Sequence, residues 1–296
     1  MTYRRFNFSS FPLILTAAAL SACASLAGSP PSDTSNAMEA NFPAIVPFNS
    51  MSGTVNLSGD VHRVPGSNPQ NIIIMVGGSG AHLRNDVEAA LPLFLTKDTA
   101  VAIFDRRGSG HSTGTLERPG TSNSIWQLPI LADDVKVIST TLSDMGFDRI
   151  GIIGSSMGAW IAVAAAANNE TIDFVIAING GASSVALSDA FDTLTDQGAS
   201  IEDSIEQVGK IETQPSYSPQ VDLSHIDKPV MWILGEMDDS NPTELDLRTI
   251  NYWKQQGKVF SALVVEGADH NFVNVKTGET NLTWLETAHT FIKTGK

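Results

Sequence analysis

The sequence predicts an α/β protein with a mostly parallel central sheet, helices on both faces and a small helical lid. Three observations carry this reading. Apolar runs of strand length recur at residues 72–76, 100–104, 149–153, 174–178, 230–234 and 260–265. Stretches of helical period follow or separate them, at 86–95, 130–145, 157–167, 244–256 and 282–292. The middle runs are continuously apolar rather than alternating, as strands covered on both faces must be. Strands that alternate with helices imply βαβ units and hence a parallel sheet.

Taken in order, the 296-residue chain opens with Arg4 and Arg5 and then an apolar run over 11–22. A short basic region before about a dozen apolar residues reads as a secretory signal, too short to span a hydrocarbon core of ~30 Å. Leu20-Ser21-Ala22-Cys23 resembles the bacterial lipobox. The resemblance implies that residues 1–22 are removed, that Cys23 carries a lipid anchor, and that Ala24 directs the protein to the periplasmic face of the outer membrane. Residues 23–48 are rich in small residues, Ser and Pro, and read as a flexible tether. The folded domain is then expected over 49–296, beginning with a hairpin at 51–64. The segment 182–228 breaks the strand–helix alternation. It is long, polar and acidic, and a loop of that size in a compact domain is usually functional, here as the lid.

The formal net charge of −14 is spread along the chain. Such a chain repels nucleic acid and anionic membrane surfaces, which leaves the lipid anchor as its expected membrane contact. Cys23 is the one cysteine, so an intramolecular disulfide or a Cys-based metal site is excluded.

The sharpest chemical signal is Gly154-Ser155-Ser156-Met157-Gly158, which follows an apolar strand and opens an alanine-rich helix. A nucleophile on a sharp strand-to-helix turn needs small residues two before and two after it. Gly154 and Gly158 meet that need for Ser156, whereas a register on Ser155 would place Ile153 and Met157 there. A serine hydroxyl also needs a base held by a third group. Of six histidines, His270 directly follows the last expected strand and so lies at the carboxyl edge of the sheet, where ligands bind in open α/β folds. The acid should leave the end of a strand, which points to Asp238, with Asp239 as the alternative. Backbone N–H groups for an oxyanion are expected from Met157, at a helix N-terminus, and from Ser79 or Gly78 in the loop Gly77-Gly78-Ser79-Gly80.

These residues, with Asp105-Arg106-Arg107-Gly108-Ser109-Gly110-His111-Ser112 between them, resemble the α/β-hydrolase superfamily in its serine aminopeptidase-like and thioesterase-like branches. The likeness runs from about Met51 onward. Gly77 stands where many members carry His before the oxyanion residue. The resemblance implies a serine hydrolase with Ser156, Asp238 and His270 as triad, with no metal or organic cofactor. The favoured substrate is a carboxylic ester. A short peptide or amide, whose free amine lid carboxylates could hold, is the alternative. A thioester of strongly anionic CoA suits an acidic lid poorly, and a binding lipoprotein without turnover is the reading from another class.

Overall fold

The computed structural model describes residues 44–117, 119, 120, 122–210 and 215–296. The expected signal, Cys23 and most of the expected tether lie outside the described residues. Eight strands form one sheet: β1 (Ile45–Ser52), β2 (Val55–His62), β3 (Asn71–Val76), β4 (Thr99–Phe104), β5 (Arg149–Ser155), β6 (Phe174–Ile178), β7 (Val230–Gly235) and β8 (Phe260–Val265). Their spatial order is β1-β2-β4-β3-β5-β6-β7-β8. β1 and β2 form an antiparallel hairpin laid antiparallel on β4, and every pairing from β4 to β8 is parallel.

The pleat divides the core in two. Along β3, Ile72, Ile74 and Val76 pack on one face while Ile73 and Met75 pack on the other, the two-residue period of a strand buried on both sides. The first face is covered by α3 (Ser124–Asp144), α4 (Met157–Ala166) and α8 (Thr243–Gln255). The second is covered by α1 (Asn85–Glu88), α2 (Leu91–Phe94) and α9 (Leu285–Thr294). All ten residues of α4 are buried, so this helix is apolar all round, as its alanine-rich sequence requires.

Three elements differ from expectation, each for a local reason. β1 begins at Ile45, inside the stretch read as tether over 23–48. Pro47 looks like a strand breaker, but β1 is an edge strand, where a missing N–H can face solvent, and Phe48 is buried against the core. The helix expected over 86–95 is two short helices, because Pro92 cannot continue the hydrogen-bond ladder of the first and sits instead in the first turn of the second. α3 starts at Ser124 rather than after Pro129, six residues earlier than expected. The carbonyl that Pro129 leaves unbonded belongs to Ile125, which is solvent-exposed, so water can satisfy it.

Within 182–228 lie α5 (Val185–Asp196), α6 (Ile201–Val208) and α7 (Gln220–Ser224). Ser184 and Ser200 cap α5 and α6 by accepting from the third amide of each helix. α5 and α6 pack on each other above the carboxyl edge of the sheet, whereas α7 packs on α4.

α4 and β3 approach each other with their backbones almost in contact. A Cβ added to Gly158 would lie 2.1 Å from the Val76 carbonyl oxygen, and one added to Gly154 would lie 2.1 Å from that of Gly158. Both are far inside contact distance, and both obstacles are backbone. Gly158→Ala should therefore cost about 3 kcal/mol or more. Urea unfolding of the variant checks this, and an unchanged midpoint would contradict the packing described.

Candidate active site

The turn between β5 and α4 carries Ser156 at φ 52° and ψ −124°. A non-glycine residue there costs on the order of 1–3 kcal/mol and persists only where its surroundings enforce it. They do so here. The Ser156 amide donates to the Ile178 carbonyl at 2.8 Å, and the two flanking glycines allow the strand and helix to cross. The conformation lifts Ser156 into a cleft also lined by Ser79, Met157, Asp192, Asp239 and His270. Ser155, one residue away, is buried and lines a small apolar cavity with Phe94 and Trp284 on the opposite face of the sheet. The strand alternation thus sends the two serines to different sides.

His270 Nδ1 lies 2.8 Å from Asp238 Oδ2 and 3.0 Å from Oδ1. Asp238 is buried at the turn after β7, and its Oδ1 also accepts the amides of Ser240 and Asn241, each at 2.8 Å. A carboxylate with backbone donors on one side and an imidazole N–H on the other is fixed in position, and it fixes the tautomer of the ring. Asp239 takes a different part: it lines the cleft, and its carbonyl accepts the Thr195 hydroxyl of α5 at 2.5 Å. Burial pulls the His270 pKa down, but the charge and hydrogen bond of Asp238, with help from Asp239 and Asp192, outweigh it and leave the ring more basic than usual.

Two asparagines that sequence reasoning passed over hold this pair in register. Asn179, at φ 49° just past β6, donates from Nδ2 to the His270 carbonyl and accepts the Gly235 amide on Oδ1, both at 2.8 Å. Asn241 donates from Nδ2 to the Asn179 carbonyl at 2.8 Å. The ends of β6 and β7 and the His270 loop are thereby one unit. The available signal was a fully polar residue between an apolar strand and Gly180-Gly181, where Asn tolerates positive φ.

Of the glycine-loop residues expected to offer the second amide donor, Ser79 lines the cleft; the Gly78 carbonyl accepts the Ala81 amide in a turn that shapes the same loop. Met157 stands at the first position of α4, where amides have no partner inside the helix. Helix α5 supplies Asp189 and Asp192 to the cleft wall. Asp192 is held by the Ser240 hydroxyl, and its pKa is raised, mainly by burial. Among the described residues, no group of three His, Cys, Asp or Glu side chains could hold a metal ion.

An eight-stranded, mostly parallel sheet with a serine on a strained strand–helix turn and an Asp–His pair after its last two strands defines the α/β-hydrolase fold. The model of the prolyl oligopeptidase family matches residues 85–295, and the chain belongs to that family of hydrolases. A Caulobacter sp. protein named as a carbamate hydrolase is 30% identical over 133 residues, which is 44% of this chain and 44% of that relative. The chain thus matches less than half the length of this curated relative. An esterase of Pyrococcus furiosus superposes with a TM-score of 0.60 at 17% identity, over 89% of this chain and 96% of that one. The proline iminopeptidase of Mycobacterium smegmatis gives 0.60 at 16%, over 84% and 98%. At these identities the likeness is one of fold.

Asp246, in the first turn of α8, is buried close to Asp238, with the Ser183 hydroxyl and amide as the donors beside its carboxylate. Burial, opposed by Ser183 and reinforced by the Asp238 charge, pushes its pKa up from 3.8 to about 7. The folded state then binds a proton that the unfolded state has released, so this contribution to stability is present below about pH 4 and lost as pH rises through about 7. Asp246→Asn should be more stable than the parent at pH 8 by about 1–3 kcal/mol, with the gap closing toward pH 5. Thermal or urea unfolding across that range checks the sign.

Proposed function

We propose that the protein hydrolyses carboxylic esters through an acyl-Ser156 intermediate. The observation that carries this is the Asp238–His270 pair facing the same cleft as a serine held at positive φ. In the first half-reaction the Ser156 oxygen attacks the ester carbonyl as His270 Nε2 takes the hydroxyl proton. The amides of Met157 and Ser79 stabilise the resulting oxyanion, and His270 then gives its proton to the departing alcohol. In the second half-reaction water attacks the acyl-enzyme by the same route, releasing the acid and restoring Ser156. Asp238 orients the ring and balances the imidazolium that forms at each stage.

A second reading, hydrolysis of aminoacyl amides or short peptides, draws on the acidic wall of the cleft. Asp189, Asp192 and Asp239 would favour a substrate with a free ammonium group. The proline iminopeptidase of similar fold makes this reading worth testing beside the first. For the whole protein we propose attachment to the cell envelope through a lipid on Cys23. Metabolic labelling with a radioactive fatty acid should mark the parent and not Cys23→Ser.

The deciding experiment treats the protein with a fluorophosphonate and locates the adduct by peptide mass spectrometry. Labelling at Ser156 is expected, with none in Ser156→Ala. A folded protein that no serine-directed probe modifies would overturn the proposal. Short-chain 4-nitrophenyl esters and aminoacyl 4-nitroanilides then rank the two substrate classes. Because the base must be neutral and His270 is more basic than usual, kcat/KM should rise with pH through a value above 6.5. Asp192→Asn removes one of the charges that raise it and should shift that rise to lower pH.

A further inference from the structure

The loop that presents Ser79 is gripped at both ends by two adjacent residues just past β4. Arg106 is 3% exposed and forms no salt bridge with a described residue; Asp86 is the carboxylate that acts on it, from a distance. Its Nη2 donates to the Gly77 carbonyl at 2.5 Å, and its backbone amide donates to the His82 carbonyl at 2.9 Å. Its Nη1 is buried without a hydrogen-bond partner among the described residues. Asp105 completes the grip: its carboxylate accepts the Arg84 amide at 2.9 Å and the Arg84 guanidinium at 2.8 Å.

The Gly77 carbonyl also touches the turn that bears Ser156. A Cβ on Gly158 would lie 2.5 Å from that oxygen. Arg106, the start of the glycine loop and the first turn of α4 therefore form one continuous contact. A neutral donor could satisfy the Gly77 carbonyl. Burying a guanidinium without a carboxylate partner is far more costly than burying an amide. Burial brings its pKa down to about 10, so the charge is kept near neutrality. A fixed positive charge in a region closed to water favours negative charge developing nearby.

We propose that Arg106 is a positioning residue for the oxyanion hole, setting the loop that carries the Ser79 amide and biasing the site toward the anionic tetrahedral intermediate. This rests on the reading of Ser156 as nucleophile given above. Arg106 touches neither substrate nor Ser156 and acts through the Gly77–Gly78 peptide. Arg84 and Arg107 differ from it in that each is paired with a carboxylate, Asp105 and Asp134 respectively.

The test compares Arg106→Gln and Arg106→Lys with the parent on 4-nitrophenyl acetate. Active sites are first counted by fluorophosphonate titration, so that rates refer to labelled Ser156. Circular dichroism establishes that each variant is folded. Arg106→Gln should lower kcat per titrated site by about 10- to 100-fold with KM nearly unchanged. Inhibition by a boronic acid, which forms a tetrahedral anion on the serine, should weaken by a similar factor. Arg106→Lys, which keeps the charge, should recover part of both. A merely structural arginine would reduce the melting temperature and the number of titratable sites, leaving kcat per site and boronate affinity within twofold of the parent, and that result would overturn the proposal. If Arg106→Gln does not fold, Arg106→Lys decides by the same two readouts. If the parent neither labels nor turns over, the fault lies with the nucleophile assignment instead.

Discussion

The contact on which the rest of the site depends is backbone against backbone, where the first turn of α4 crosses the end of β3. Gly158 lies against the Val76 and Gly77 carbonyls with no room for a side chain. Because the helix starts that close to the sheet, the residue joining β5 to α4 must turn within a single position, and Ser156 takes the strained conformation that this demands. The same crossing brings the amide end of α4 beside the loop leaving β3. Ser156 and the first amides of α4 are thus placed by one close approach, and a methyl group there would disturb both.

Around that crossing, polar groups at the carboxyl edge of the sheet are tied to one another. Asn179 joins β6 to the His270 loop and to β7, Asn241 joins the same junction to the Asp238 turn, and Asp238 is satisfied by two amides as well as by the imidazole. In a buried network each fully satisfied member restricts the others, which is how a loop-borne histidine acquires a fixed place. The glycine loop is held by Asp105 and Arg106 in like manner. Asp246 is the exception, a buried carboxylate next to this network whose burial outweighs its contact with Ser183 and leaves it easily protonated.

The electrostatics of the cleft run in one direction. Asp189, Asp192, Asp239 and Asp269 line it together with His270. This makes the imidazolium easier to form and disfavours anionic substrates. An acidic cleft walled in part by α5 disfavours polyanionic ligands and favours neutral or cationic ones.

Much of this was legible in the sequence. The parallel sheet followed from continuously apolar runs, because a strand covered on both faces has no polar side to show. The Ser156 register followed from two glycines, because steric exclusion acts within a few residues. The order of Asp238 and His270 after their strands followed from where loops must emerge. Other features were decided only by tertiary structure. Pro47 is tolerated because β1 lies on an edge, and Pro129 because Ile125, which loses its helical donor, is solvent-exposed. The choice between Asp238 and Asp239 as the partner of His270 turned on which carboxylate meets amides from 240 and 241. Asn179 and Arg106 carry no motif of their own, since what they hold lies many residues away in the chain: His270 and Gly235 for the one, Gly77 for the other. Local sterics and burial patterns are written along the chain, whereas the partners of a buried polar group are set by which segments fold together.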